Sequence, residues 1–227
     1  MPDKSTLKAK SAVTHDTNRY VFSRPEGMQF EPGQAAEIAI LKDGWKDEGR
    51  PFTFVSMPSD ADLEFVIKTY PEHDGVTEQL AQLEPGAEVT IDGPFGAIQD
   101  QGQERGPGVF LAAGAGITPF IPILKKRDRD GKMDGTTLIY SNKAEKDIIL
   151  RDQWEAMQGL RAIFAVTDEK ADGLHFGRVD KAFLAKEISN FDQKFYLCGP
   201  GGFVDAMRDA LKALGAKQDD IVTEDGW

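Results

Sequence analysis

The sequence predicts two folds in succession, a six-stranded antiparallel β-barrel followed by a doubly wound α/β domain built on a parallel sheet. Three observations predict it. The first hundred residues carry six short strand-like segments set apart by turn residues, the stretch from Ile98 to Gly108 becomes polar and glycine-rich, and strand and helix patterns alternate from there on. At 227 residues the chain is long for one domain and comfortable for two of about 100 to 120. The expected boundaries are a barrel domain at 1–100 and an α/β domain at 107–227.

The barrel strands are read at Leu7 to Val13, Arg19 to Ser23, Ala36 to Leu41, Pro51 to Ser56, Leu63 to Thr69 and Glu88 to Asp92. Leu63, Phe65 and Ile67 alternate against Glu64 and Lys68 as a half-buried strand requires, although Val66 breaks the polar side. Arg24-Pro25-Glu26-Gly27 forms a turn. Between the fifth and sixth strands, Gly75 to Leu83 has helix composition, with Val76, Leu80 and Leu83 on one face and Pro85-Gly86 ending it.

Beyond the boundary, strands are expected at Val109 to Ala113, Thr136 to Ser141, Ala162 to Thr167, Lys194 to Cys198 and Asp220 to Thr223. Helices fill Pro119 to Lys126, Leu150 to Met157, Val179 to Ile188 and Gly202 to Leu214. Val109 to Phe120 organises this half. Its apolar strand breaks on Gly114 and Gly116, then restarts as a helix at Thr118-Pro119, where a threonine hydroxyl suits the free N–H groups of the first turn. A phosphate placed there meets unpaired donors and the positive end of the helix dipole. The pattern is not the dinucleotide G-x-G-x-x-G, because Pro119 stands where the last glycine belongs, and a helix start with no ligand fits it equally. Ligands of such sheets bind outside the carboxyl ends of the strands, where Gly114 and Cys198-Gly199-Pro200-Gly201 both fall.

A net charge of -11 opposes nucleic-acid binding. Cys198 is the single cysteine, so the chain has no internal disulfide and no thiolate-ligated zinc or cluster of its own; His15, His73 and His175 are scattered, and no metal is expected. No apolar run reaches the ~20 residues of a membrane span, and the N-terminal segment lacks the apolar core of a signal peptide, so a cytoplasmic location without membrane association is the expectation.

Arg50-Pro51-Phe52-Thr53-Phe54 places a permanent cation, an aromatic and a hydroxyl at the start of a strand, groups suited to a diphosphate, a flat heterocycle and a ring nitrogen. It is followed by Ile67-Lys68-Thr69-Tyr70, Gly75-Val76-Thr77, Asp92-Gly93-Pro94-Phe95-Gly96, Gly114-Ala115-Gly116-Ile117-Thr118-Pro119 and Cys198-Gly199-Pro200. Six motifs in this order resemble the ferredoxin-NADP reductase superfamily over nearly the whole chain. The resemblance implies a flavin-binding barrel, a nicotinamide-binding domain, and hydride passing from NADH or NADPH to the flavin with electrons leaving singly. It implies Arg50 on the flavin phosphates with Pro51 and Phe52 beside it, and Thr53 at the reactive flavin nitrogen. Lys68 and Tyr70 join the flavin ligands, and Gly75, Val76 and Thr77 form a second phosphate clamp. Gly114, Gly116 and Thr118 become the dinucleotide cradle, with Asn142 and Lys143 at its ribose end and Cys198, Gly199 and Pro200 where the nicotinamide docks.

Two departures stand out. Many relatives have tyrosine where Phe52 stands, and the loop from Gly93 to Gly108 has no clear adenine-stacking aromatic beyond Phe95; FAD is expected, with FMN the less favoured alternative. Cys198 is read as inert packing or as a group at the reacting centre. Lys125-Lys126-Arg127-Asp128-Arg129 reads either as a docking patch for an acidic carrier or as a helix C-terminal turn. Trp227 is a satellite contact or, resembling terminal aromatics of some relatives, a ring displaced from the flavin by nicotinamide. The segment Asn142 to Arg151 resembles NADH-using reductases, and Glu145 or Asp147 is expected to disfavour a 2′-phosphate that Lys143 would attract. The expected partners are a nicotinamide dinucleotide and a soluble electron-acceptor protein such as a ferredoxin or flavodoxin, with the chain a monomer. An electron-transfer module within a larger complex is the alternative.

Overall fold

The computed structural model describes residues 2–70 and 73–224. The chain divides into two compact units, Met1–Gly96 and Ala97–Trp227.

The first unit is an antiparallel sheet of Asp3–Ala12 (β1), Thr17–Ser23 (β2), Ala35–Ile40 (β3), Arg50–Thr53 (β4), Asp62–Lys68 (β5) and Glu88–Phe95 (β6). Their order is β4-β3-β6-β1-β2-β5. Alternation drives the burial: Tyr20 and Phe22 of β2, Leu63, Phe65 and Ile67 of β5, and Val89 and Ile91 of β6 all enter one core. The sequence extends the fourth strand to Ser56, whereas β4 stops at Thr53 because the chain changes partners. Phe54 N–H still bonds the Gln34 carbonyl, but Val55 N–H donates to the Glu64 carbonyl of β5 at 2.8 Å, which brings the two ends of the sheet towards each other. Val76–Gln82 (α1) buries Val76 and Leu80 in the same core.

The second unit contains Val109–Ala113 (β7), Phe120–Arg129 (α2), Thr137–Asn142 (β8), Arg151–Ala156 (α3), Arg161–Val166 (β9), His175–Phe176 (β10), Lys181–Glu187 (α4), Phe195–Cys198 (β11), Gly201–Ala213 (α5) and Ile221–Thr223 (β12). The sheet is parallel, in the order β10-β9-β8-β7-β11-β12. Successive strands run outward from β7 in one direction, and β11 and β12 then add on its other side. The topological switch point therefore lies between β7 and β11. The two-residue β10 is the strand that sequence patterning misses, being too short to show a period.

Residues 97–108 belong to the second unit, and despite their polarity they are anchored. Ile98 is fully buried, and Gln101 N–H donates to the Tyr196 hydroxyl at 2.9 Å. Arg127, 2% exposed, reaches both carboxylate oxygens of Asp100 at 2.7 and 2.6 Å, donates to the Pro107 carbonyl, and lies over the rings of Phe110 and Tyr196.

Candidate functional site: two cofactor half-sites

In the first unit, β4 carries Arg50 to Thr53 along the sheet edge. Register pairs Arg50 with Ile38 and Thr53 with Ala35. Phe52 is partly buried and packs against the barrel core, and Phe54, just past the strand, is fully buried within it. Arg50 stays exposed; its guanidinium donates to the Gly49 carbonyl at 2.7 Å and lies 3.4 Å from a Glu48 oxygen. At the end of β5, Lys68 Nζ sits 2.7 Å from Asp16 Oδ2. Burial alone would raise the Asp16 pKa, but hydrogen bonds from Lys68, Thr14 and Thr17 outweigh it and hold the carboxyl below its usual range. Tyr70, 43% exposed, stacks on His73 with centroids 5.6 Å apart, and its backbone N–H donates to the Thr77 hydroxyl at 3.4 Å. Tyr70 and Thr77 are thus joined, while Lys68 turns to Asp16 and the hydrogen bonds of Arg50 go to its own loop.

Two features there suit a phosphate-bearing ligand. Gly75 precedes α1 with no side chain capping the helix, and a Cβ placed on it would meet only the His73 carbonyl at 3.8 Å. The Thr69 hydroxyl is buried without a hydrogen-bond partner among the described residues.

In the second unit the switch point is built almost wholly from main chain. Gly114, at φ +53, opens a 3₁₀ turn over Gly114–Ile117, and a Cβ there would meet nothing within 4 Å. Gly116 is the reverse case: a Cβ would lie 2.4 Å from the Cys198 carbonyl oxygen, so the turn after β7 rests directly on the end of β11. Tyr140 of β8 donates its hydroxyl to the Gly114 carbonyl at 2.8 Å and fixes the turn. Thr118 does not act as an N-cap, since its hydroxyl donates back to the Ala115 carbonyl at 3.0 Å; the 3₁₀ turn delays α2 to Phe120. Past β11, Gly199, Pro200, Gly201 and Gly202 lead into α5, which has no side-chain cap, and a Cβ on either Gly201 or Gly202 would meet nothing within 4 Å.

Asn142 closes β8. It is 7% exposed, yet its Nδ2 has no hydrogen-bond partner among the described residues. Lys143 beside it is exposed. Asp147 turns its carboxylate onto the Ala144 N–H at 3.0 Å, Glu145 pairs with Arg151, and the Glu145 N–H donates to Glu169 at 2.6 Å. Burial, reinforced by the Glu224 carboxylate, pushes the Cys198 thiol up to about 12, so it stays protonated at neutral pH. Glu224 accepts from the backbone N–H groups of Ala97 and Ile98 at 2.7 and 3.1 Å. Neither Glu224 nor Tyr140 stands out in the sequence, because an acid in a short tail and a tyrosine in a strand carry no pattern. Trp227 lies outside the described residues.

The cluster from Lys125 to Arg129 is a helix end. Arg127 is buried on Asp100, while Lys126 and Arg129 both lean on Asp130, so the docking patch read from the sequence is not present as a free basic surface.

A barrel followed by a doubly wound sheet with a glycine-built switch point defines a two-domain dinucleotide oxidoreductase. The chain belongs to the ferredoxin-NADP reductase superfamily of FAD- and NAD(P)-binding oxidoreductases. Residues 4–99 match the oxidoreductase FAD-binding domain and residues 110–209 the oxidoreductase NAD-binding domain. It is 32% identical over 229 residues to NADH-cytochrome b5 reductase 1 of Aspergillus terreus, covering 92% of this chain and 76% of that protein. It is 26% identical over 218 residues to the ferredoxin--NAD(P)(+) reductase component of the naphthalene 1,2-dioxygenase/salicylate 5-hydroxylase systems of a Ralstonia species, covering 93% of this chain and 65% of that protein. The flavohem-like FAD/NAD-binding domain of nitric oxide dioxygenase from Vibrio cholerae superposes with a TM-score of 0.88 at 25% identity, covering 98% of both chains.

Proposed function

We propose that the chain oxidises a nicotinamide dinucleotide, with NADH preferred over NADPH, and passes electrons one at a time to a separate soluble protein of the ferredoxin, flavodoxin or cytochrome b5 kind. The observation that carries this reading is the orphaned Asn142 carboxamide beside a switch point of bare main chain: a buried donor without a partner is costly unless a ligand supplies the acceptor. FAD, when bound, supplies the conversion of a two-electron hydride donor into single electrons. Arg50 is assigned to the flavin diphosphate, with Gly75, Val76 and Thr77 as a second phosphate contact. Thr53 is assigned to the flavin ring, and Lys68 and Tyr70 to flanking contacts. Gly114, Gly116 and Thr118 shape the pyrophosphate turn, Asn142 and Lys143 meet the ribose, and Gly199 and Pro200 leave room for the nicotinamide. Cys198, with its thiol held neutral, serves as a packing contact there and not as an acid or base. The NADH preference rests on Glu145 and Asp147 after β8 and on Glu169, past β9, which accepts from the Glu145 N–H, since a 2′-phosphate would add charge to an acidic loop.

An electron-transfer module of a larger assembly is a second reading, supported by the likeness to the Ralstonia protein, which is the reductase component of a dioxygenase/hydroxylase system. Spectroscopy tests both. The purified chain is expected to be yellow and to bleach anaerobically with NADH, and with ferricyanide its kcat/KM for NADH should exceed that for NADPH about tenfold, or ~1.4 kcal/mol. A colourless chain that takes up no FAD overturns the reading, and a tenfold advantage for NADPH overturns the preference.

A further inference from the structure

We infer that Lys10 is a positioning residue for the flavin: it locks the exit of α1, and so holds the opening of the same helix, Gly75 to Thr77, in place for the flavin phosphates assigned to it above, an inference that rests on that assignment. The way β1 is built puts Lys10 there. A bulge between Leu7 and Ala9 shifts the alternation by one residue, so Leu7 pairs with Phe22 and Lys10 with Tyr20. Phe22 and Tyr20 are both fully buried, and residues opposite one another across a sheet project from the same face. Lys10 therefore lies on the core side of β1, where regular alternation from Leu7 would have put Ala9, and its side chain is 20% exposed.

An ammonium on the core side needs acceptors, and α1 supplies them. Lys10 Nζ donates to the Ala81 carbonyl at 2.9 Å and to the Leu83 carbonyl at 2.6 Å, and Glu84 Oε1 lies 3.7 Å away. These carbonyls stand at the end of the helix, where main-chain acceptors are left free and the dipole is negative. α1 cannot supply the cation itself. It has seven residues, no basic side chain in its last turn and, among the described residues, no side-chain cap at Gly75. A helix so short is marginal in water, so its place depends on what packs against it. Val76 and Leu80 bury one face, Lys42 Nζ donates to Gln79 Oε1 at 3.1 Å, and Lys10 fixes the end. At the opening, the Thr77 hydroxyl accepts from the Tyr70 N–H at 3.4 Å. Seven residues span only about 10 Å of helix, so a shift at Ala81 is carried to Thr77.

Titration of the flavin-free chain with FAD, at a temperature where circular dichroism shows every variant folded, tests the role of Lys10. Lys10→Met keeps the stem and removes the charge. It is expected to weaken FAD roughly 3- to 10-fold and to speed hydrogen exchange of the α1 amides, while those of β2 and β5 stay protected. Lys10→Arg restores a cation at the helix end and is expected to bind FAD within about twofold of the native chain. Lys8→Met removes a lysine of the same strand that pairs with Asp62, and should leave both readouts unchanged. Undiminished FAD binding by Lys10→Met overturns the inference, as does an equal loss in Lys8→Met or an arginine variant as weak as methionine. Thr77→Ala separates this from the phosphate assignment. Weaker FAD binding there beside a silent Lys10→Met leaves the phosphate contact standing, whereas full FAD binding by Thr77→Ala removes that contact and the role of Lys10 with it.

Discussion

At the scale of single residues, Arg50 is the group whose removal should be felt most directly. Its guanidinium is exposed and, among the described residues, is held by its own loop, so a permanent planar fork is available to a diphosphate with little to give up. Arg50→Ala is expected to weaken FAD binding about 10- to 150-fold, the 1.5 to 3 kcal/mol of a charge-assisted hydrogen bond, as read by titrating the flavin-free chain with FAD. Full flavin retention in that variant would remove Arg50 from the site. What the sequence shows at this scale is residue type at a strand or helix end, and it put Gly114 just past β7 and Gly199 just past β11, where the structure has them. It could not show orientation. Phe52 reads as a ring free to stack and instead packs against the barrel core; Thr118 reads as a cap and instead bonds backward to Ala115.

At the scale of elements, the two glycines of the turn after β7 have opposite surroundings, and substitution should separate them. A methyl on Gly116 meets the Cys198 carbonyl at 2.4 Å, a backbone atom that can yield only by moving β11. Gly116→Ala is therefore expected to cost about 1 to 3 kcal/mol of stability in urea unfolding. A methyl on Gly114 meets nothing, so Gly114→Ala bears only the left-handed backbone penalty of about 1 to 2 kcal/mol, yet it should weaken ADP-ribose by intruding where the ligand approaches. Equal effects of the two variants on stability and binding would contradict this division. The long periodic elements were legible because apolar spacing is a strong signal; β10 and the 3₁₀ turn at Gly114 were not, because a few residues cannot express a period.

At the scale of the molecule, the second unit depends on a buried cation. Arg127 looks from sequence like surface charge, but it sits beneath residues 97–108 with Asp100 as counter-ion. Burial alone would raise the Asp100 pKa; the hydrogen bonds and charge of Arg127 outweigh it and lower the value below the ordinary carboxylate range. A carboxyl more acidic in the folded than in the unfolded chain stabilises above its unfolded pKa, near 4, and that contribution is lost as pH falls through the folded value. Asp100→Ala is expected to cost about 3 kcal/mol at neutral pH by leaving Arg127 buried without its partner, and to flatten the acid limb of the stability profile. A loss under about 1 kcal/mol in urea would show that Pro107, Thr136 and the two rings suffice to hold the guanidinium. The order of folds was legible from rhythm alone, whereas this polar anchoring was not, since ion pairs across 27 positions leave no local trace. The carboxylate of Glu224 also has a consequence for how the chain is threaded. By gripping Ala97 and Ile98 it buckles the segment just past β12 to the segment that opens the second unit, a clasp that draws two stretches more than a hundred positions apart onto one spot.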